Sequence, residues 1–464
     1  MDAVPHTLVV AQAGRDRSFF TGGVAALAGL MFGLDIGVIS GALQFIGVAF
    51  HASDTAKEWI VSSMMIGAAA GALGAGQLSF RLGRKPSLIV AAIIFIIGSL
   101  CCAFAWSIGS LIVARIVLGV AIGIATFTAP LYISEIAPPD RRGAMISSYQ
   151  LMITVGILAA FLSDTLLSYA GAWRWMLGVV AVPGALFLIG VTRLPHSPRW
   201  LMLRGRKSEA IAVLTELRGE PRVVDEEVRA IEEELQRPQV GWTLFRKNPN
   251  FRRSVGLGIG LQVMQQFTGM NVVMYYAPHI FQLAGFQGHA QLWGTAIVGL
   301  VNVLATFIAI GLVDRLGRRP VLLTGFTVMT IGMGLLGILL HIGTHDLVMR
   351  IFAVAMLLTF IVGFAMSAGP LIWVLCSEVQ PIKGRDFGIS ASTFTNWAAN
   401  FVVGLTFLSM LNGFGSGMTF GIYAALNAVF IVITLFFVPE TRGVTLEQIE
   451  NKLMAGKPLR RIGQ

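Results

Sequence analysis

The sequence predicts an all-α integral membrane protein of twelve transmembrane helices in two pseudo-symmetric six-helix bundles, with a small cytoplasmic helical domain between them. Three observations predict it. Hydrophobic residues make up 55% of the 464-residue chain and charged ones 12%, with mean hydropathy +0.75, whereas a soluble domain carries about 25% charge. Apolar runs of about 20 residues, enough to cross roughly 30 Å of hydrocarbon as helix, recur along the whole chain. Short motifs also return at nearly half the chain length, the mark of a two-fold internal repeat.

The runs place spans at 18–42, 58–80, 87–106, 110–134, 144–167, 175–194, 254–284, 291–313, 320–342, 351–376, 386–411 and 418–438. Arg81, Arg84, Lys85, Arg141, Arg142, Arg315, Arg318, Arg319, Lys383 and Arg385 fall in alternate connections, together with the charged middle and the tail. By the positive-inside rule both termini are cytoplasmic. The net charge of +10 is therefore a topology signal dispersed over loops, and it excludes nucleic acid as a partner. Cys101, Cys102 and Cys376 all lie in apolar spans and imply no disulfide framework.

LGRKP at 82–86 returns as LGRRP at 316–320. Glu135, three residues before Pro138 and seven before Arg142, is echoed by Glu378, three before Pro381 and seven before Arg385. PHSPR from Pro195 is loosely echoed by PETRG from Pro439. The division is a segment 1–17, a first bundle 18–194, a linker domain 195–252, a second bundle 253–438 and a tail 439–464. Within the linker, 207–218 and 225–235 read as amphipathic helices, the second capped by Asp225. Gly83 and Gly317 permit tight turns, and the cations beside them face acids that recur in both halves. Arg81, Arg84, Glu135, Arg142, Asp314, Arg318, Glu378 and Arg385 are accordingly the expected cytoplasmic gate, with pairs that form in one orientation of the bundles.

With Asp314-Arg315-Leu316-Gly317-Arg318-Arg319, Arg115 with Gly119, PHSPR at 195–199, QQFTGMN at 265–271, GPLIW at 369–373 and PETRG at 439–443 in order, the chain resembles the sugar porter family of the major facilitator superfamily. The resemblance covers nearly the whole length and implies the major facilitator fold. Two departures stand out: Phe80 replaces an aspartate in the first-half loop, and His196 replaces an acid of the sixth-span motif.

Asp35 is an ionisable residue inside a long uncharged run. It lies about 25 Å along the first span, and Arg115 about 8 Å below the outer end of the fourth, so their depths match. Intramembrane charges face the interior and mark ion pathways. At about 4 Å and an effective dielectric near 20 such a pair is worth about 4 kcal/mol, so Arg115 competes with a proton for the carboxylate. Asp35 and Arg115 are the expected proton-coupling pair, the other reading being a static buried ion pair. Asp164, near the outer end of the fifth span, is expected to be solvated.

A hexose needs amides and an aromatic surface. The resemblance carries sugar-binding roles to Gln150, Gln265, Gln266, Asn271, Asn302, Trp373 and Asn400, with Tyr275, Tyr276 and Trp397 beside them; Asn396 is a further amide of the eleventh span. At least one of the adjacent Gln265 and Gln266 is expected to serve as interhelical glue. GxxxG pairs Gly67 with Gly71 and Gly119 with Gly123 are expected to pack helices, and Pro370 to break the tenth span.

The resulting expectation is a secondary active transporter importing a hexose, galactose and/or glucose, with a proton by alternating access. Its setting is the bacterial inner membrane, as a monomer, with no metal and no cofactor. A facilitative uniporter and a non-transporting sugar receptor are the alternatives. An enzyme is excluded because no further cluster of titratable groups forms a catalytic constellation.

Overall fold

A computed structural model describes residues 6–138, 142–236 and 241–463, and for 6–19, 142–144, 234, 310 and 312–314 the backbone alone. The first bundle comprises α1 (His6–Ala49), α2 (Asp54–Leu82), α3 (Arg84–Ala103), α4 (Ile108–Ile136), α5 (Arg142–Ser168), α6 (Trp173–Val179) and α7 (Ala181–Thr192). The linker carries α8 (Pro198–Leu203), α9 (Lys207–Arg218), α10 (Pro221–Leu235) and α11 (Gly241–Lys247). The second bundle comprises α12 (Pro249–Phe267), α13 (Met270–Leu283), α14 (His289–Leu316), α15 (Arg318–Ile342), α16 (Leu347–Ala365), α17 (Ala368–Glu378) and α18 (Arg385–Phe437); α19 (Leu446–Met454) lies in the tail.

Among the described residues ten segments are long and apolar enough to cross a membrane. One of them, Ile382–Phe437, turns back at Gly415 (φ 77°) and holds two spans. The seventh span is the broken pair α12 and α13, so the count is twelve, as expected. Thr268 and Gly269 make that break, with Gly269 at φ 92°. The tenth span breaks at Met366–Ser367. Pro370 sits just after this break, inside the first turn of α17, where its missing N–H leaves no helical bond unmade. The hinge thus lies one turn before the proline rather than at it.

Gly83 (φ 100°, ψ 166°) and Gly317 (φ 91°, ψ 168°) adopt the same turn in the two halves, a conformation that a side chain would strain. Gly67 and Gly71 of α2 lie against Gly119 and Gly123 of α4. A Cβ on Gly67 would come within 2.0 Å of the Ile116 carbonyl oxygen, and one on Gly119 within 2.0 Å of that of Met64. Glycine alone permits this approach. In the linker, α9 has the expected bounds, but α10 begins at Pro221, so Asp225 is an interior residue and no cap. Proline is well placed in a first turn, which explains the earlier start.

Helices α8–α11 and the tail helix α19 gather at one face, the linker face, where α9 packs on α1 and α19 on α12. At the far face the bundles meet through α2 with α18 and α5 with α14. There Thr165 Oγ1 donates to the Leu292 carbonyl at 3.2 Å, Ser168 Oγ lies 3.1 Å from His289 Nδ1, and Trp293 Nε1 donates to Tyr169 Oη at 3.2 Å.

Candidate transport site

Gly29, Gly33, Gly37 and Gly41 repeat every fourth residue and form one face of α1. A Cβ on Gly33 would lie 1.9 Å from the Ile153 carbonyl oxygen, so α1 rests directly on α5. Asp35 is two residues from Gly33 and Gly37, on the opposite face, and is directed at α4. Its Oδ1 accepts from Arg115 Nη1 at 2.5 Å, and both side chains are buried. Arg115 Nε also donates to the Ile60 carbonyl at 3.2 Å and Nη2 to that of Val61 at 3.4 Å. One guanidinium therefore ties three helices. Asp35 Oδ2 has no hydrogen-bond partner among the described residues.

Asp164 is not solvated: it is 1% exposed, and neither carboxyl oxygen has a hydrogen-bond partner among the described residues. A Cβ on Gly41 would meet its Oδ2 at 2.3 Å. The glycine leaves room for the carboxyl in the α1–α5 seam, a pairing that one span read by itself cannot disclose.

The break at 268–269 places Gln265 and Gln266 at the end of α12 and Asn271 and Tyr275 at the start of α13. Gln265 Nε2 donates to the carbonyls of Ala368 and Gly369, each at 3.0 Å, and its Oε1 accepts from Asn396 Nδ2 at 2.8 Å. Gln265 thus joins α12, α17 and α18. Gln266 Oε1 accepts from Asn271 Nδ2 at 2.5 Å, and its Nε2 donates to Gln265 Oε1 at 3.5 Å. Asn400 Nδ2 donates to Tyr275 Oη at 3.2 Å, while Tyr276 Oη donates to the Gly404 carbonyl at 3.0 Å. Trp397 meets Phe32 of the first bundle edge-on, ring centroids 5.4 Å apart.

Two residues of this cluster escaped the sequence reading. Gln262 accepts from Asn396 Nδ2 at 2.6 Å, and Phe32 supplies the first bundle's ring. Gln262 lies three residues before Gln265, on the same helical face, and that spacing was the available signal. Phe32 gave none, being one apolar residue in an apolar run. Asn302 is buried in α14, Gln150 half-buried in α5 and Trp373 exposed on α17; no hydrogen bond links their side chains to the cluster among the described residues. Trp397 Nε1 and Asn400 Oδ1 are buried without a hydrogen-bond partner among the described residues. Buried polar groups of this kind call for an explanation, and an unbonded N–H with an unbonded amide oxygen three residues on along the same helix matches the donor and acceptor capacity of a hydroxyl.

At the linker face, Arg84 Nε and Nη2 donate to Glu135 at 2.8 and 2.7 Å, and Ser197 Oγ donates to the same carboxylate at 2.5 Å. In the second half Arg318 Nη2 donates to Glu378 at 3.2 Å and Thr441 Oγ1 at 2.5 Å. Each glutamate thus takes an arginine from the start of the third or ninth span and a hydroxyl from the segment after the sixth or twelfth. These pairs stay inside their own bundle, because the glycine turns set each arginine beside the adjoining span. Arg81 is exposed and Arg385 opens α18, whereas the side chains of Arg142 and Asp314 lie outside the described residues. Phe80, the departure in the first loop, receives Arg204 over its ring at 5.4 Å, and its carbonyl accepts from Trp200 Nε1 at 3.0 Å. His196 stacks on Trp200 with centroids 5.5 Å apart.

Twelve spans in two similar bundles, a buried carboxylate–guanidinium pair in one and a broken-helix amide cluster in the other define a membrane transporter. The chain belongs to the family described as sugar (and other) transporter, whose profile matches residues 22–453. It is 60% identical over 461 residues to the galactose-proton symporter of Escherichia coli strain K12, with 99% of each chain covered. It is 54% identical over 453 residues to that strain's arabinose-proton symporter, covering 97% of this chain and 96% of the other. The inward open conformation of the xylose transporter XylE from E. coli superposes with a TM-score of 0.82 at 30% identity, over 94% of this chain and 99% of that one. The protein is a sugar transporter and not an enzyme.

Proposed function

We propose that the chain imports a hexose, galactose and/or glucose, together with a proton, across a bacterial inner membrane with both termini in the cytoplasm. The observation that carries the reading is the buried Asp35–Arg115 contact. Arg115 occupies Oδ1 and leaves Oδ2 for a proton, so a movement that separates α1 from α4 would exchange the guanidinium for the proton. The relatives named as galactose-proton and arabinose-proton symporters support the same coupling.

The sugar is held where the second bundle faces Phe32. Gln266, Asn271, Tyr275, Trp397 and Asn400 contact it, Gln265 orders them, and Gln150, Asn302 and Trp373 complete the wall as the bundles rock. The linker face is cytoplasmic by its basic residues. Bundles joined at the far face then correspond to the inward-facing state. A protonmotive force of about 100 mV supplies about 2.3 kcal/mol per proton, enough for roughly fifty-fold accumulation at one proton per sugar.

The test is sugar-induced proton uptake in proteoliposomes, adding galactose, glucose, arabinose and xylose in turn while recording external pH. Alkalinisation with galactose or glucose, absent in Asp35→Asn, is the expected result. Alkalinisation with arabinose alone would overturn the hexose assignment. Sugar equilibration without any pH change would make the protein a uniporter and Asp35 a structural acid.

A further inference from the structure

Glu58 is an acid near the far-face end of α2, only 1% exposed although it is close to the membrane surface. Its partner lies in the opposite bundle. Ser409 of α18 donates its backbone N–H to Glu58 Oε1 at 2.7 Å and its hydroxyl to Oε2 at 2.8 Å. One turn further out, Asn412 Nδ2 donates to Asp54 Oδ2 at 2.9 Å, and one turn further in, a Cβ on Gly404 would sit 2.8 Å from Ser62 Oγ. Asp54, Glu58 and Ser62 are spaced four apart on α2, so they form a single line that closes against α18. Both oxygens of Glu58 are thus committed across the seam by one residue, the carboxylate itself buried and Ser409 at the exposed edge of the contact. Charge-assisted bonds of this kind are stronger than neutral ones, and losing one partner there leaves the other unsatisfied.

We infer that Glu58 is the latch of the far-face gate, a positioning residue whose clasp on Ser409 holds the two bundles together at that face and must be exchanged for water before the site can open there. Neither the coupling pair nor the amide cluster supplies this function. Asp35 and Arg115 lie within one bundle, and the amides of α12, α13 and α18 are bonded chiefly to each other. Nor do the arginine–glutamate pairs of the linker face supply it, because each braces its own bundle. Glu58 instead links the bundles directly, and its bonds differ between a closed and an open seam, which is what a residue needs in order to bias a two-state equilibrium. The inference rests on the two-bundle transporter fold. It does not depend on the proton role of Asp35, on the identity of the sugar or on which face is cytoplasmic.

The experiment measures the distance across the seam by pulsed electron paramagnetic resonance in the full-length protein in lipid nanodiscs. Spin labels are placed at His51→Cys and Gly413→Cys, two exposed far-face positions in opposite bundles, with Cys101, Cys102 and Cys376 replaced. The parent should show mainly the short, closed distance. Glu58→Ala should raise the ratio of long to short distances by about tenfold, and Ser409→Ala should shift it in the same direction by less, because the backbone N–H remains. The double variant should shift it no further than Glu58→Ala alone, as expected of two residues acting through one contact. Glu58→Gln, which keeps one acceptor oxygen and the side chain's length, should fall between, and it carries the test if Glu58→Ala does not fold. Unchanged distance distributions in Glu58→Gln and Ser409→Ala would overturn the latch. So would additive shifts in the double variant. A protein that opens as expected yet shows no proton uptake would leave the latch standing and refute the coupling reading instead.

Discussion

Arg115 Nη1 stands 2.5 Å from Asp35 Oδ1 in a place that neither water nor lipid reaches. The same guanidinium bonds the carbonyls of Ile60 and Val61, so the ion pair is also the knot that binds α1, α2 and α4. Removing only the cation leaves a buried charge uncompensated. Arg115→Leu should therefore cost about 3–5 kcal/mol and appear as a poor yield of monodisperse protein by size-exclusion chromatography. Adding Asp35→Asn to it should recover much of the yield while leaving sugar uptake uncoupled from protons. A double variant no better folded than Arg115→Leu would show that the carbonyl contacts, and not the ion pair, dominate stability.

Gln265 and Gln266 are neighbours with different tasks. Gln265 bonds two carbonyls of α17 and the amide of Asn396, whereas Gln266 bonds Asn271. Gln265→Leu should lower the melting temperature of the purified protein as well as transport, since a buried polar partner left unmade costs about 1–3 kcal/mol. Gln266→Leu should raise KM for sugar by about tenfold or more, with a smaller change in melting temperature. Equal losses of stability in the two variants would assign both to helix packing.

The glycine face of α1 can be tested by adding a single methyl group. Gly33→Ala would place a carbon 1.9 Å from the Ile153 carbonyl oxygen and should destabilise by about 1–3 kcal/mol as α1 is pushed off α5. Gly23, with nothing within 4 Å of its hypothetical Cβ, is the control. Gly23→Ala should melt at or above the parent temperature, because alanine favours the helix.

His196 gives a pH dependence outside the membrane. Its burial between α7 and α8 holds the imidazole below its ordinary value, and the cations of Lys85 and Arg206 act in the same direction. The folded protein thus disfavours the charged ring. Stability is fully present above about pH 6.5, where the unfolded chain's histidine is also neutral, and it falls as pH drops below that, since the unfolded state takes up the proton first. Melting temperature measured from pH 7.5 to 5.5 should fall more steeply in the parent than in His196→Gln. Parallel curves would remove His196 from the acid response.

Much of the fold was legible because its determinants are local. Apolar runs of membrane length need no partner to be read, and neither do the turns at Gly83 and Gly317, whose backbone conformation only glycine adopts easily. The repeat of LGRKP as LGRRP and of Glu135 as Glu378 disclosed two similar halves before any contact was seen. Matching depths brought Asp35 to Arg115, and the pair is bonded. Polar residues that are costly in lipid pointed to the amide cluster, because a membrane span has few reasons to keep them.

What the sequence determined by itself is the number of spans, their pairing into halves and the residue types available for chemistry, since each follows from hydropathy, length and repetition along one chain. Only the tertiary structure decided which atoms those residues meet. It buried Asp164 against Gly41, gave Gln265 to α17 and α18, kept the arginine–glutamate pairs within their bundles and brought Glu58 to Ser409, some 350 residues away. The physical reason is that a carboxylate or an amide on a helix has the same local signature whether it faces a cavity, a carbonyl or another bundle. Its role is set by the partner, and the partner is chosen when the helices pack.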